Sequence, residues 1–335
     1  MTKPRILLVA TGGTIASAED GNGLTPQLTG EQLAGYVPQA AELADIDIVQ
    51  PMNIDSTNMR PADWQAIGDA ILAQYEDYDG FVVLHGTDTM AYTAAALSYL
   101  IQDSPRPIVL TGSQQPMGSP FTDARINLYQ SVLYATDPDS HDVAVVFGGK
   151  VVAGTRARKQ RTMSFNAFTS VNYPELALIR NDRIIRTAPA SSGDARAASE
   201  PRVYHDLDER VFVLKLTPEV NPSVFELLRR DYDAIILETF GVGGIPDTLH
   251  DAIFGWVDSG RTLVVTTQVP EEGLDLGVYE VGRAYAEHPG ILKGADMTCE
   301  ALVAKTMWVL GQTRESERLR ELFYRPVNCD RLPEA

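Results

Sequence analysis

Ile6-Leu7-Leu8-Val9-Ala10-Thr11-Gly12-Gly13-Thr14-Ile15 begins as a short apolar run, after the basic Lys3-Pro4-Arg5, and stops at a threonine and two glycines. Such a run is too short for a helix and ends in turn chemistry, so it reads as a buried strand. It is also too short for the apolar region of a secretory signal. The same form recurs in Phe81-Val82-Val83-Leu84, Ile108-Val109-Leu110 and Val143-Ala144-Val145-Val146-Phe147, each ending near glycine. Between these strands, Pro61 to Tyr75, Thr89 to Gln102 and Asp123 to Thr136 have helical spacing. The first starts on a proline, which the first turn of a helix tolerates. Strand then helix, repeated, predicts a parallel sheet covered on both faces.

The chain has 335 residues, and single cores tend to split beyond about 250, so two α/β domains are expected. From Ala188 to Asp208 the periodicity is lost among Pro189, Ser191-Ser192-Gly193, Ala197-Ala198-Ser199 and Pro201, as in a linker. Beyond it, Val211 to Leu216, Ala234 to Leu237 and Leu263 to Thr267 read as strands. Ser223 to Arg230, Thr248 to Val257 and Glu300 to Leu310 read as helices. The expected fold is therefore α/β: a large N-terminal doubly wound domain with a mostly parallel sheet over 1–188, a linker over 189–209, and a smaller C-terminal α/β domain over 210–335.

Lys and Arg total 28 against 45 Asp and Glu, a formal net charge of −17. That balance repels phosphate backbones and anionic headgroups, so no nucleic acid is expected as a partner, although acidity also serves plain solubility. No run of about 18 apolar residues marks a membrane span. The two cysteines, Cys299 and Cys329, permit neither a disulfide framework nor a Cys-rich zinc site, which fits a reducing cytoplasm, although a chain with few cysteines would also survive outside it. His85, His141, His205, His250 and His288 lack metal-ligand spacing and read as surface or packing residues.

In open α/β sheets ligands bind beyond the carboxyl ends of the strands. Three such ends combine glycine with hydroxyls or a carboxylate: Thr11-Gly12-Gly13-Thr14-Ile15, His85-Gly86-Thr87-Asp88-Thr89 and Thr111-Gly112-Ser113-Gln114. Taken singly, each is equally well simple turn chemistry, and Thr87 or Thr89 could cap the following helix. No Gly-x-x-x-x-Gly-Lys-Ser/Thr loop or Gly-x-Ser-x-Gly elbow is present. Gly241-Val242-Gly243-Gly244-Ile245 lacks the spacing of a dinucleotide fingerprint, and Pro246 interrupts the helix start it would need.

Together, Thr11-Gly12-Gly13-Thr14-Ile15-Ala16 and His85-Gly86-Thr87-Asp88-Thr89-Met90 resemble the two signatures of the bacterial-type L-asparaginases. The resemblance extends over nearly the whole chain, through Asn53-Ile54-Asp55-Ser56-Thr57-Asn58-Met59, Tyr78-Asp79-Gly80-Phe81, Thr111-Gly112-Ser113-Gln114, Gly154-Thr155-Arg156-Ala157-Arg158-Lys159 and Gly294-Ala295-Asp296-Met297-Thr298. Met90-Ala91-Tyr92-Thr93 is closer to the cytoplasmic (type I) class than to the secreted one. The resemblance implies hydrolysis of L-asparagine to aspartate and ammonia, with no metal or organic cofactor. It implies Thr14 as the nucleophile, with Thr87, Asp88 and Lys159 as a second catalytic cluster. Ser56 is implied as a ligand of the substrate α-carboxylate, and Asp88 as a contact of its α-ammonium. It also implies self-association, as a dimer or tetramer, so that a neighbour's C-terminal domain completes each cleft.

The residue types suit these roles. A threonine hydroxyl is a poor nucleophile at neutral pH and needs a base. Lys159 is the candidate amine in the matched motifs, able to act if burial favours its neutral form while Asp88 holds it. The alternative is that Arg156-Ala157-Arg158-Lys159-Gln160-Arg161 is a solvated basic run. Two departures stand out. Leu24 occupies the place where the secreted class has a tyrosine assisting the nucleophile, and Thr57 stands where that class has a glutamine for the ammonium, so Asp55 could contribute instead. Ala18 to Pro26, with Gly21 and Gly23, reads as a lid over the cleft or as an ordinary surface turn.

Two rivals remain at this level. One is the related amidase subunit of a tRNA-dependent amidotransferase, which carries an extra N-terminal domain and would meet tRNA, a poor match to −17. The other is a non-catalytic amino-acid-binding protein, which would not need two hydroxyls and an amine.

Overall fold

The structure, a computed structural model, describes residues 3–13, 15, 17–19, 24–26, 35, 37–187, 200–277, 285 and 288–332. The chain divides into two compact units, 1–205 and 206–335.

In the first unit the opening apolar run forms β1 (Arg5–Ala10), and Ser17–Glu19 (β2) pairs antiparallel with Leu24–Pro26 (β3). Then come α1 (Ala40–Leu43), β4 (Asp45–Val49), α2 (Pro61–Leu72), β5 (Gly80–Leu84), α3 (Met90–Leu100) and β6 (Ile101–Gln102). They are followed by β7 (Ile108–Thr111), α4 (Ala124–Ala135), β8 (Val143–Phe147) and β9 (Lys150–Ala153). Short strands β10 (Ala157–Lys159), β11 (Phe168–Ser170), β12 (Ala177–Arg180), β13 (Arg183–Arg186) and β14 (Arg202–Val203) complete the unit.

The main sheet runs in the order β13-β12-β9-β8-β7-β5-β1-β4. The five strands from β8 to β4 are parallel, while β9, β12 and β13 continue the sheet antiparallel. In chain order the parallel strands read 2-1-3-4-5, so β1 lies between its two successors, and the adjacent strands β1 and β5 pass the chain on to opposite sides. Both faces are covered, which explains why β5, β7 and β8 are buried at every position rather than alternately. Ile6, Leu8, Ala10, Val82, Leu84 and Val109 share one core with Leu128 and Val132 of α4. Phe81 points the other way and stacks on Tyr75, just beyond α2, with ring centroids 5.5 Å apart.

Helix boundaries follow local chemistry. The Asp63 carboxylate accepts the Arg60 backbone N–H at 2.8 Å, and Pro61 starts α2 where no backbone donor is needed. Helix α3 is buried nearly all round, and its run Thr93-Ala94-Ala95-Ala96 lets it lie close between neighbours. The segment read as a linker falls partly on residues outside the described ones, 188–199. Beyond these, β14 pairs antiparallel with β6, and Tyr204 N–H donates to Leu100 O, so 202–204 pack with the first unit.

The second unit carries a four-stranded parallel sheet of β15 (Val211–Lys215), β16 (Ala234–Thr239), β17 (Thr262–Thr267) and β18 (Ile291–Lys293), in chain order. Helices α5 (Ser223–Leu228) and α6 (His250–Asp258) supply Phe225, Ile253 and Trp256 to its core. The Thr298 hydroxyl accepts Ala301 N–H at 3.1 Å and caps α7 (Cys299–Gln312), against which α8 (Ser316–Tyr324) packs. Among the described residues, no helix is long and apolar enough to cross a membrane.

Candidate active site

Because the connections leaving β1 and β5 run in opposite directions, a crevice is expected at the carboxyl ends of these two strands. The signature residues lie there. Thr11 N–H donates to Leu84 O at 3.0 Å, and Gly13 N–H and Ile54 N–H are exchanged with Ile54 O and Thr11 O at 3.0 and 2.9 Å. The Asn53 to Thr57 motif is thereby laid across the end of β1. Gly13, at φ +81°, passes so close to the next strand end that a Cβ would sit 2.3 Å from Gly86 Cα. Gly86 in turn leaves no room beside Ser56, whose Oγ would be 2.5 Å from its Cβ. Glycine at both positions is what lets three motifs converge.

Thr14, the expected nucleophile, lies outside the described residues. So does the middle of the expected lid, 20–23, between β2 and β3. Asp55 Oδ1 accepts both the backbone N–H and the hydroxyl of Thr57, at 2.9 and 2.8 Å, capping a single 3₁₀ turn. That local hydrogen bonding is enough to explain an Asp-Ser-Thr sequence, whereas Ser56 is buried directly against the glycine turn. Thr89 does not cap α3; its hydroxyl donates to Ser56 O at 2.7 Å and ties the two loops together.

Residues far apart in the chain meet beside this crevice. Lys159, on β10, donates from Nζ to Thr87 Oγ1 at 2.8 Å and to Asp88 Oδ1 at 2.6 Å. Thr87 is buried, the Lys159 side chain is 18% exposed, and that of Asp88 is 57% exposed. An amine, a hydroxyl and a carboxylate are thus in direct contact with a route to solvent, the arrangement that proton transfer to a bound substrate requires. The geometry does not match a solvated basic run, because Lys159 Nζ is engaged by two polar groups of another loop.

Further polar residues support the cluster: Gln114, from the third strand-end motif, and Asp123 and Asn127, which residue types alone did not single out. Thr87 Oγ1 also donates to Gln114 Oε1 at 3.3 Å, and Gln114 Nε2 donates to Ser164 O at 3.2 Å. The buried Asp123 carboxylate accepts Gln114 N–H through both oxygens and Gln115 N–H through one, each at 3.0 Å. Asn127, one helical turn later, bridges Gly112 O and Gly148 N–H at 3.0 Å each. The signal available is an Asp and an Asn spaced i, i+4, which share one face at the start of the helix. His85 is fully buried. Its Nδ1 lies 2.7 Å from Gly86 O, so Nδ1 carries the proton and the neutral ring accepts the Thr93 hydroxyl at Nε2, 2.9 Å away. Burial, opposed by the bond to Gly86, lowers the His85 pKa to about 4. Among the described residues, no group of three or more His, Cys, Asp or Glu could hold a metal.

Residues 5–191 match the family described as asparaginase, N-terminal, and residues 210–323 match the glutaminase/asparaginase C-terminal domain. The chain is 38% identical over 328 residues to an L-asparaginase of Thermococcus kodakarensis, covering 96% of this chain and 98% of that one. It is 36% identical to a glutamyl-tRNA(Gln) amidotransferase subunit of Aeropyrum pernix, covering 96% of this chain and 78% of that one. The crystal structure of L-asparaginase I from Vibrio cholerae superposes with a TM-score of 0.88 at 30% identity, covering 99% of this chain and all of that one. With both domains matched and relatives aligned along nearly its full length, the chain belongs to the asparaginase family.

Proposed function

We propose that this protein is a type I L-asparaginase that hydrolyses L-asparagine to L-aspartate and ammonia through an acyl-enzyme on Thr14. The observation that carries the reading is the contact of Thr87, Lys159 and Asp88 at the switch point of the sheet, in a chain of this family. Thr14 Oγ attacks the side-chain amide carbon, the C–N bond breaks, and ammonia leaves with the proton taken from the hydroxyl. Backbone N–H groups stabilise the oxyanion. Water then adds to the ester, the bond to Thr14 breaks, and the Thr87 cluster manages the proton. Ser56 and Asp88 hold the α-carboxylate and α-ammonium of the substrate, with Asp55 and Thr57 beside them. No metal or organic cofactor enters this scheme.

Mass spectrometry of quenched enzyme tests the assignment. Thr14→Ala should form no aspartyl adduct, while Thr87→Val should still form some; an adduct mapped to Thr87, or to no threonine, contradicts it.

The amidotransferase reading suits this chain less well, since a net charge of −17 repels tRNA. Self-association as a dimer or tetramer is part of the proposal. Phe121 and Met163 are 83% and 85% exposed, on loops bounding the Gln114 to Ser164 contact, and an apolar surface of that kind is suited to a second copy. Light scattering that finds an active monomer at assay concentration would refute it. A cytoplasmic location is part of the proposal, supported by the type I resemblance.

A further inference from the structure

The asparaginase scheme needs the Thr87 oxygen to accept protons or hydrogen bonds, but a hydroxyl has one donor and two acceptor sites and rotates freely between them. What fixes its direction is visible in the geometry. Lys159 Nζ, which as an ammonium paired with Asp88 only donates, occupies one lone pair of Thr87 Oγ1 at 2.8 Å. The hydroxyl proton must therefore point elsewhere, and Gln114 Oε1 lies 3.3 Å away.

An amide side chain could present either its oxygen or its nitrogen to Thr87, and this ambiguity is resolved by Ser164. Its carbonyl, 3.2 Å from Gln114 Nε2, can only accept, so the NH₂ group must face Ser164 and the oxygen must face Thr87. The stem of Gln114 is held as well, because the buried Asp123 carboxylate accepts its backbone N–H through both oxygens. We propose that Gln114 is a positioning residue: by accepting the hydrogen bond of the Thr87 hydroxyl, it leaves the second Thr87 lone pair directed at the reacting water, a role that rests on the asparaginase reading above. The contact at 3.3 Å is longer than a strong O–H···O bond, so the proton is aimed without being locked.

The consequence is a defect in one step. Gln114→Met removes the acceptor, and resolution of the ester should slow roughly tenfold, the worth of one net hydrogen bond. Because acylation precedes that step, kcat and KM should fall together, kcat/KM should stay constant, and acyl-enzyme should accumulate in quenched samples. Gln114→Glu keeps an oxygen toward Thr87 and loses the donor to Ser164, so it should restore most of kcat. If Gln114 were only a strap between loops, both variants would lose kcat alike, with lower thermal stability and no accumulated adduct. A neutron structure of the wild-type protein gives an answer independent of turnover. A deuteron on Thr87 Oγ1 directed at Gln114 Oε1 upholds the proposal, and any other direction overturns it. A wild-type chain that releases no ammonia from asparagine would instead overturn the asparaginase reading, with the neutron map still deciding the role of Gln114.

Discussion

Among the described residues, Lys159–Asp88 and Lys305–Asp330 are lysine–aspartate pairs of nearly equal length in opposite settings. Lys159 and Asp88 meet at 2.6 Å with 18% and 57% of their side chains exposed, and a threonine hydroxyl shares the ammonium. Lys305 and Asp330, in the second unit, meet at 2.5 Å with neither side chain exposed, and the shared group is the Arg325 carbonyl. The second pair closes on itself: Asp330 Oδ1 accepts Val327 N–H at 3.0 Å, so the carboxylate anchors the C-terminal segment onto α7. Burial, opposed by Asp330, lowers the Lys305 pKa to about 8. A charge pair that reaches solvent beside a hydroxyl can exchange protons with a ligand, whereas a sealed one can only hold chain segments together.

The sharpest way to break this comparison is to remove each amine in turn. Lys159→Met should lower turnover by about 10²- to 10⁴-fold, the usual contribution of a positioned proton-transfer group, with the melting temperature almost unmoved. Turnover within a few-fold of wild type would return Lys159 to the status of a surface charge. Lys305→Met should do the reverse, destabilising the fold by about 3 to 5 kcal/mol because the buried Asp330 carboxylate loses the ammonium that faces it. Urea unfolding reads that loss directly; an unchanged midpoint would mean that the sealed pair does not anchor the C-terminal segment.

A smaller effect concerns His85, which lies at the open site yet is itself sealed. Its folded pKa of about 4 is below the 6.5 of the free side chain. Between those values the unfolded chain binds a proton that the folded chain does not, so this group's contribution is present above pH 6.5 and is lost as the pH falls toward 4. The slope from one such group is at most about 1.4 kcal/mol per pH unit. Comparing wild type with His85→Gln by chemical denaturation at about pH 7 and about pH 4.5 isolates the effect. Identical pH dependence in the two proteins would show that His85 protonates without cost.

The same distinction between sealed and open positions governs what could be read from the residues alone. Strands β1, β5, β7 and β8 are covered on both faces and therefore appear as unbroken apolar runs, which made the parallel sheet legible. Strand β4, Asp45-Ile46-Asp47-Ile48-Val49, lies at the sheet edge with one row facing water and so lacks the unbroken apolar run that marks its neighbours; its only signal is a short alternation. Arg183-Ile184-Ile185-Arg186 of β13, at the other edge, gives no alternating pattern because the outward-facing Ile185 is exposed and apolar. Helix α8, Ser316–Tyr324, carries a strong amphipathic pattern but little apolar content, and its burial of Leu319, Leu322 and Phe323 depends on α7. At the site, Thr87 and Asp88 stand out as a motif past a strand. Lys159, 71 positions beyond Asp88, has no local signal, and its place came from family resemblance. Gln114 is visible in its motif, yet its orientation depends on a backbone carbonyl from the loop at Ser164, which residue type does not report.

The most direct test of the whole account is ammonia release from L-asparagine by the purified chain, measured together with aspartate. One ammonia and one aspartate per asparagine consumed, abolished in Thr14→Ala, is the expected result. Asparagine that binds and is returned unchanged, with no ammonia formed, would contradict it and leave a binding protein built on an enzyme's fold.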